Sequence, residues 1–176
     1  MRKLKLDELN RISTEEFKES TKNPIVIVLD NVRSAMNVGS VFRTSDAFLV
    51  EEIILVGITA QPPNREIQKS ALGATETVEW KYFSTTEDCI QYLKEKNYTI
   101  LSIEQSDHST MLNEFKIEDN KQYALVLGNE VDGVSYEFIN ESVACIEVPQ
   151  FGTKHSLNIA VCAGIVTWHF VSANLE

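Results

Sequence analysis

Pro24-Ile-Val-Ile-Val-Leu29 is apolar, mostly β-branched and free of polar interruption, and it constrains the fold more than any other stretch. Such a run suits a strand buried on both faces of a parallel sheet. Glu52-Ile-Ile-Leu-Val-Gly57, Tyr98-Thr-Ile-Leu-Ser-Ile103 and Tyr123-Ala-Leu-Val-Leu127 have similar character, and Val78–Phe83 alternates as a half-buried strand does. A last strand is expected over Ala144–Val148 and stops at Pro149, which has no amide to donate to a ladder. Helical patterns separate these runs. One begins near Met36 or Asn37 and reaches Phe48, with Val38, Val41, Phe42, Ser45 and Phe48 on one face. Another is capped at Thr85 or Thr86 and runs to about Lys96, a short one spans 135–140, and the final one spans 156–172. Strands alternating with helices predict an α/β fold: a mostly parallel sheet with helices on both faces.

The chain has 176 residues, 43% of them hydrophobic, and is read as a short helical extension (residues 1–22) followed by a single domain (23–176). A domain of that size buries a sizeable core without disulfides or metal. Cys89, Cys145 and Cys162 are odd in number, widely spaced and set among apolar neighbours, which predicts reduced core thiols and no metal site. No uninterrupted apolar run reaches the roughly 18 residues of a membrane span. The charged start lacks a signal-peptide core, so a cytoplasmic protein is expected. The net charge of −10 argues against a generic nucleic-acid binder. It is unevenly spread: residues 1–81 hold 11 Lys and Arg against 12 Asp and Glu, whereas residues 82–176 hold 5 against 14. A polyanion is therefore expected to meet the first half.

Three polar loops follow strand ends, the usual place for a ligand in an open α/β sheet. The first is Asn31-Val-Arg-Ser-Ala-Met-Asn37-Val-Gly-Ser-Val-Phe-Arg43. The second is Leu127-Gly128-Asn-Glu130-Val-Asp-Gly133. The third is Val148-Pro-Gln-Phe-Gly-Thr-Lys-His-Ser156-Leu157-Asn158, in which Ser156 is a good candidate to cap the last helix. Read locally, Asn37 is an N-cap, Asn158 sits in a first helical turn, Arg43 forms a surface ion pair and His155 fills a polar loop. No G-x-G-x-x-G follows the first strand and no P-loop is present, which removes the common nucleotide-binding readings.

In order and near spacing, these three stretches resemble the signature motifs of the SpoU (TrmH-type) RNA methyltransferases, members of the knotted SPOUT superfamily. The resemblance covers roughly residues 24–172. It implies a C-terminal deep trefoil knot, a homodimer, S-adenosylmethionine as cofactor, and methylation of a ribose 2′-hydroxyl of tRNA or rRNA. It also implies Asn37, Arg43, Glu130, Ser156 and Asn158 as catalytic residues. Glu104, Gln105, Leu127, Gly128, Ile146, Ser156 and Leu157 are implied around the cofactor. The family's arginine is proposed to activate the hydroxyl. Because a guanidinium is a poor base, Arg43 is read here as holding a phosphate and offsetting alkoxide charge. The chain departs from the pattern at Gln150, where methionine is common, and at the acidic Glu147. A knotted binder without catalysis, or a methyltransferase acting on a base, remain the alternatives.

Overall fold

The computed structural model describes residues 1–173 and 175; residues 174 and 176, at the end of the expected domain, lie outside them. A 3-10 turn (Leu6–Glu8) precedes α1 (Thr14–Glu19), β1 (Asn23–Asp30), α2 (Ala35–Ala47), β2 (Val50–Val56), α3 (Arg65–Ala71), α4 (Ala74–Thr77) and β3 (Glu79–Phe83). There follow α5 (Thr86–Glu95), β4 (Thr99–Ile103), β5 (Thr110–Met111), β6 (Tyr123–Leu127), α6 (Tyr136–Glu141), β7 (Ala144–Glu147) and α7 (Ile159–Ser172). The sheet order is β3-β2-β1-β6-β4-β7-β5, and every pairing between these strands is parallel. All seven strands therefore end on one rim of the sheet.

The central strand shows why its sequence had to be apolar throughout. Ile25, Ile27 and Leu29 face a core shared with Val38, Val41 and Phe42 of α2, Ile67 of α3 and Val166 and Phe170 of α7. Val26 and Val28 face the opposite core, with Cys89, Ile90 and Leu93 of α5 and Phe138 of α6. Each such side chain, fully buried, is worth roughly 1.5–3 kcal/mol. The expected α/β sheet with helices on both faces is thus observed. Cys89 is buried, and burial, with Asp30 and Glu52 nearby, pushes its thiol up to about 12. It and the other two cysteines are free thiols, as expected.

Several boundaries differ from the sequence reading. Helix α2 starts at Ala35 because Ser34, not Asn37, is its cap; Ser34 Oγ accepts from the Asn37 amide at 3.2 Å. Helix α7 starts at Ile159 because Asn158, not Ser156, is the cap, its Oδ1 accepting from the Ala160 and Val161 amides. Strand β5, only two residues long, pairs with β7 at the edge of the sheet and was not anticipated from the sequence. Residues 1–22 hold only two short helical pieces. Ser13 opens α1 with a capping box, and Phe17 buries itself in the main core.

Helix α2 carries the first motif, and Gly39 sets its depth. A Cβ there would stand 2.1 Å from Ser70 Oγ and 2.4 Å from the Ile67 carbonyl of α3. The serine rotamer can yield, but the backbone carbonyl cannot without moving α3. Gly39→Ala is expected to destabilise the fold by about 1–2 kcal/mol, overpacking outweighing the helix-propensity gain of roughly 1 kcal/mol. Thermal melting reads this as a fall of at least roughly 2 °C; an unchanged or higher midpoint would mean the two helices separate freely.

Candidate active site

The rim is built on Asp30, the last residue of β1 and only 1% exposed. Its Oδ2 accepts from the Ser135 amide at 2.7 Å and from the Ser135 hydroxyl. Its Oδ1 accepts from Asn31 Nδ2 at 2.8 Å. Asn31 takes a left-handed conformation (φ 55°), and its Oδ1 accepts from the Ile58 amide at 3.1 Å. Thr59 completes the brace, donating to the Leu29 carbonyl and accepting from the Val32 amide, both at 2.9 Å. Donors to a carboxylate are stronger than neutral pairs, so the loops leaving β1, β2 and β6 are fixed to one another.

The second motif forms a tight turn. Asn129 Oδ1 accepts from the Val131 and Asp132 amides, each at 2.8 Å, and Asn129 and Gly133 exchange backbone hydrogen bonds at 3.2 Å. Gly128 permits this, since a Cβ on it would land 2.0 Å from the Gly133 carbonyl carbon. The turn projects Glu130 toward α2. There Asn37 Nδ2 donates to Glu130 Oε1 at 2.9 Å, and Asn158 Nδ2 donates to Asn37 Oδ1 at 3.2 Å. Three residues 93 and 121 positions apart thus form one hydrogen-bonded chain. Asn158 caps α7 through the same side chain, which ties the third motif to the first.

Beside this chain lies a cavity of about 500 Å³, within the ordinary range for a small-molecule site. All seven residues expected around a cofactor line it: Glu104, Gln105, Leu127, Gly128, Ile146, Ser156 and Leu157. Glu130 and Asn158 line it as well, so Ser156, Glu130 and Asn158 of the expected catalytic set share one cavity. Asn37 reaches it through hydrogen bonds. Ser156 is exposed in the loop before α7. Arg43 is not brought in. It is exposed on α2, and among the described residues its guanidinium makes no hydrogen bond and does not form the surface ion pair of the local reading.

Glu104, besides lining the cavity, has a structural part. Its Oε2 accepts from the Val134 amide at 2.9 Å and its Oε1 from the Gln105 amide at 2.8 Å. Gly133, at φ 71°, makes room, because a Cβ there would stand 2.2 Å from Glu104 Oε2. Glu104 therefore clamps the second-motif turn to the end of β4. Gln105 reaches the other way, its Nε2 donating to the His155 carbonyl at 3.1 Å. His155 is thus used through its backbone, close to the filler role expected of it. Glu147 also lines the cavity and accepts from Ser109 Oγ at 2.7 Å. Cys162 closes one wall, its thiol raised to about 11 by burial and by Glu104, and so is protonated and poorly nucleophilic at neutral pH. With Glu104, Glu130 and Glu147 present and no lysine or arginine lining it among the described residues, the cavity is anionic. No cluster of His, Cys, Asp or Glu able to hold a metal occurs among those residues, and no helix is long and apolar enough to cross a membrane.

The braces at Asp30, Asn129 and Glu104 were not read as such from sequence. Their signals were an acidic residue closing a buried apolar strand and an Asn-x-x-Asp-Gly turn.

A family model described as the SpoU rRNA methylase family matches residues 24–168. The chain belongs to this family. This SpoU family chain is 29% identical over 158 residues to the 23S rRNA (guanosine-2′-O-)-methyltransferase RlmB of Neisseria meningitidis serogroup B, covering 89% of itself and 62% of that protein. It is 26% identical to the tRNA (guanosine(18)-2′-O)-methyltransferase of Aquifex aeolicus, covering 87% of itself and 71% of the relative. The crystal structure of an AdoMet-bound rRNA methyltransferase from Sinorhizobium meliloti superposes with a TM-score of 0.82 at 26% identity, covering 91% of this chain and 61% of that one. The chain thus spans under two thirds of two of these three relatives.

Glu104→Gln keeps one acceptor but turns an NH₂ group toward a backbone amide. The expected cost is about 1–3 kcal/mol of stability, the price of a partly buried unmet donor. Hydrogen exchange checks it locally: protection at Gln105 or Val134 should fall while that of β1 holds. Unchanged protection at both amides would remove the clamp.

Proposed function

We propose that this chain transfers the methyl group of S-adenosylmethionine to a ribose 2′-hydroxyl of tRNA or rRNA. The hydrogen-bonded chain Glu130–Asn37–Asn158 at the mouth of an anionic cavity carries the reading. The names of the relatives support it, and so does the fit of the cavity. Leu127, Ile146 and Leu157 supply apolar walls for an adenosine, backbone groups at the strand ends suit an adenine edge, and the carboxylates complement a sulfonium. When bound, the cofactor supplies an electrophilic methyl group. The protein's part is orientation, which alone lowers such barriers greatly. Glu130 and Asn37, held rigid by Asn158, position the ribose. Arg43 holds the neighbouring phosphate and offsets the charge that develops on the 2′-oxygen. Residues 23–176 form the methyltransferase domain and residues 1–22 a short extension, in a cytoplasmic protein.

The same proposal includes a trefoil knot and a homodimer. β6 lies between β1 and β4, and the chain returns from β7 past the second-motif turn to lay α7 on α2, an arrangement that suits threading of the C-terminal segment. For the dimer, Val161, Ile165 and Trp168 of α7 are 53%, 40% and 50% exposed and fall at i, i+4 and i+7 on one stripe. Trp168 meets the Phe48 ring at 5.6 Å and carries the patch toward α2. Thr44, next to Arg43 in α2, lies close to Gly164 of α7, so the proposed dimer puts Arg43 near the interface.

Transfer of labelled methyl groups into unmodified tRNA and 23S rRNA, followed by nucleoside analysis, tests the reaction. A 2′-O-methylated nucleoside is the expected product; label on a base, or none, overturns it. Arg43→Ala should slow single-turnover transfer at least about a hundredfold, the scale of one lost charge-stabilising donor. Calorimetric affinity for S-adenosylmethionine should stay near its starting value, and Arg43→Lys should recover little. Full activity in Arg43→Ala would leave the residue without this role.

Sedimentation of the native chain should report about twice 19.9 kDa. Ile165→Asp, which places a charge in the stripe, should yield a monomer that melts close to the parent. A parent that sediments as a monomer at micromolar concentration would remove the dimer.

A further inference from the structure

One residue of the third-motif loop has no part in the site described above. Phe151 is 99% exposed, more than any other aromatic side chain among the described residues. It is not on a free end. Gln150, just before it, lines the cavity, and the carbonyl of His155, later in the same loop, is held by Gln105 Nε2. The ring is thus presented from a loop anchored at both stems, five residues before Ser156 and on the same rim as Asn37 and Glu130. Next to it, the position a Cβ would take on Gly152 is open space. Lys154, three residues on, is exposed too.

Resting on the proposed RNA reaction, we propose that Phe151 is a stacking platform for a nucleobase of the substrate RNA beside the nucleotide whose ribose enters the site, with Lys154 meeting an adjacent phosphate. Unstacked bases of RNA loops are commonly received on aromatic faces, and such stacking is insensitive to which base is present. A second copy of the chain is the other candidate to cover the ring, but the surroundings do not favour it. Residues 151–158 are all exposed, and from Gly152 to Asn158 every residue but Leu157 is polar, small or charged. A lone ring in a polar, cationic loop suits a base and its phosphate; the apolar stripe of α7 already provides a surface for a second copy.

The test uses the full chain with a fluorescently labelled, mixed-sequence single-stranded oligoribonucleotide, and with tRNA transcript in the transfer assay. Phe151→Ala should weaken oligoribonucleotide binding and raise KM for the transcript, each about tenfold, within the range measured for removed stacking partners. Affinity for S-adenosylmethionine and the sedimentation coefficient should not move. Phe151→Trp should restore binding, and its extra emission over the parent should be quenched when RNA is added. Phe151→Leu, which keeps apolar bulk without a π face, should not restore it. Equal rescue by leucine and tryptophan would overturn the platform, as would unaltered RNA binding in Phe151→Ala. Weaker cofactor binding would make the ring a lid over the cavity, and loss of the dimer would make it an interface residue; each of these also overturns it. A parent that binds the oligoribonucleotide through Phe151 but transfers no methyl group would instead fail the proposed reaction.

Discussion

The buried carboxylate of Asp30 is the interaction on which the rim of this sheet depends. A charge at the end of a central strand is costly unless it is fully hydrogen-bonded. Here the amide and hydroxyl of Ser135 and the carboxamide of Asn31 meet that demand. The cost is turned to geometry, because the partners belong to loops leaving different strands. Without Asp30 the start of α6 would lose these hydrogen bonds to β1, and the turn carrying Glu130 would lose one of the two carboxylate braces that set its distance from Asn37. That distance is what a chain of two hydrogen bonds linking three segments requires.

A hierarchy follows. Apolar burial sets the order of the strands, since β6, buried along its whole length, must be covered on both faces and so lies inside the sheet between β1 and β4. That order places the second motif beside the first, though 93 residues separate Asn37 from Glu130. Polar braces then fix the loops to within a hydrogen bond. Glu104 and Asp30 do comparable work from opposite sides of the second-motif turn, one from β4 and one from β1.

The strands were legible because their composition answers to a single condition, burial on both faces. The seven residues that the resemblance implied around a cofactor line one cavity. What the sequence could not disclose was competition between equivalent local solutions. Ser156 and Asn158 are both good caps, and the choice falls on Asn158 because the chain is still crossing the cavity mouth at Ser156. Ser34 displaces Asn37 in the same way, which frees the Asn37 carboxamide to bridge two other motifs. Arg43 fails to join for a reason of helical phase. Six residues beyond Asn37 it lies about 9 Å farther along the axis and roughly 120° around it. Strand β5 has two residues, too few to show any period.

The charge distribution joins these points. A protein with a net charge of −10 repels a polyanion, and physiological salt confines that repulsion to roughly a Debye length, about 8 Å. Under the proposed reaction the cavity must favour a cation while its surroundings receive phosphates. The chain separates the two demands in space. Glu104, Glu130 and Glu147 line the interior, whereas Arg33, Arg43, Arg65 and Lys154 are exposed on loops and helices outside it. Arg33, Arg65 and Lys154 follow the ends of β1, β2 and β7, so the parallel topology alone brings them to the rim that carries the candidate site. On a chain with this net charge such a rim relies on short-range, directional groups more than on steering, and an anchored aromatic ring with guanidinium forks is the kind of group that it can use.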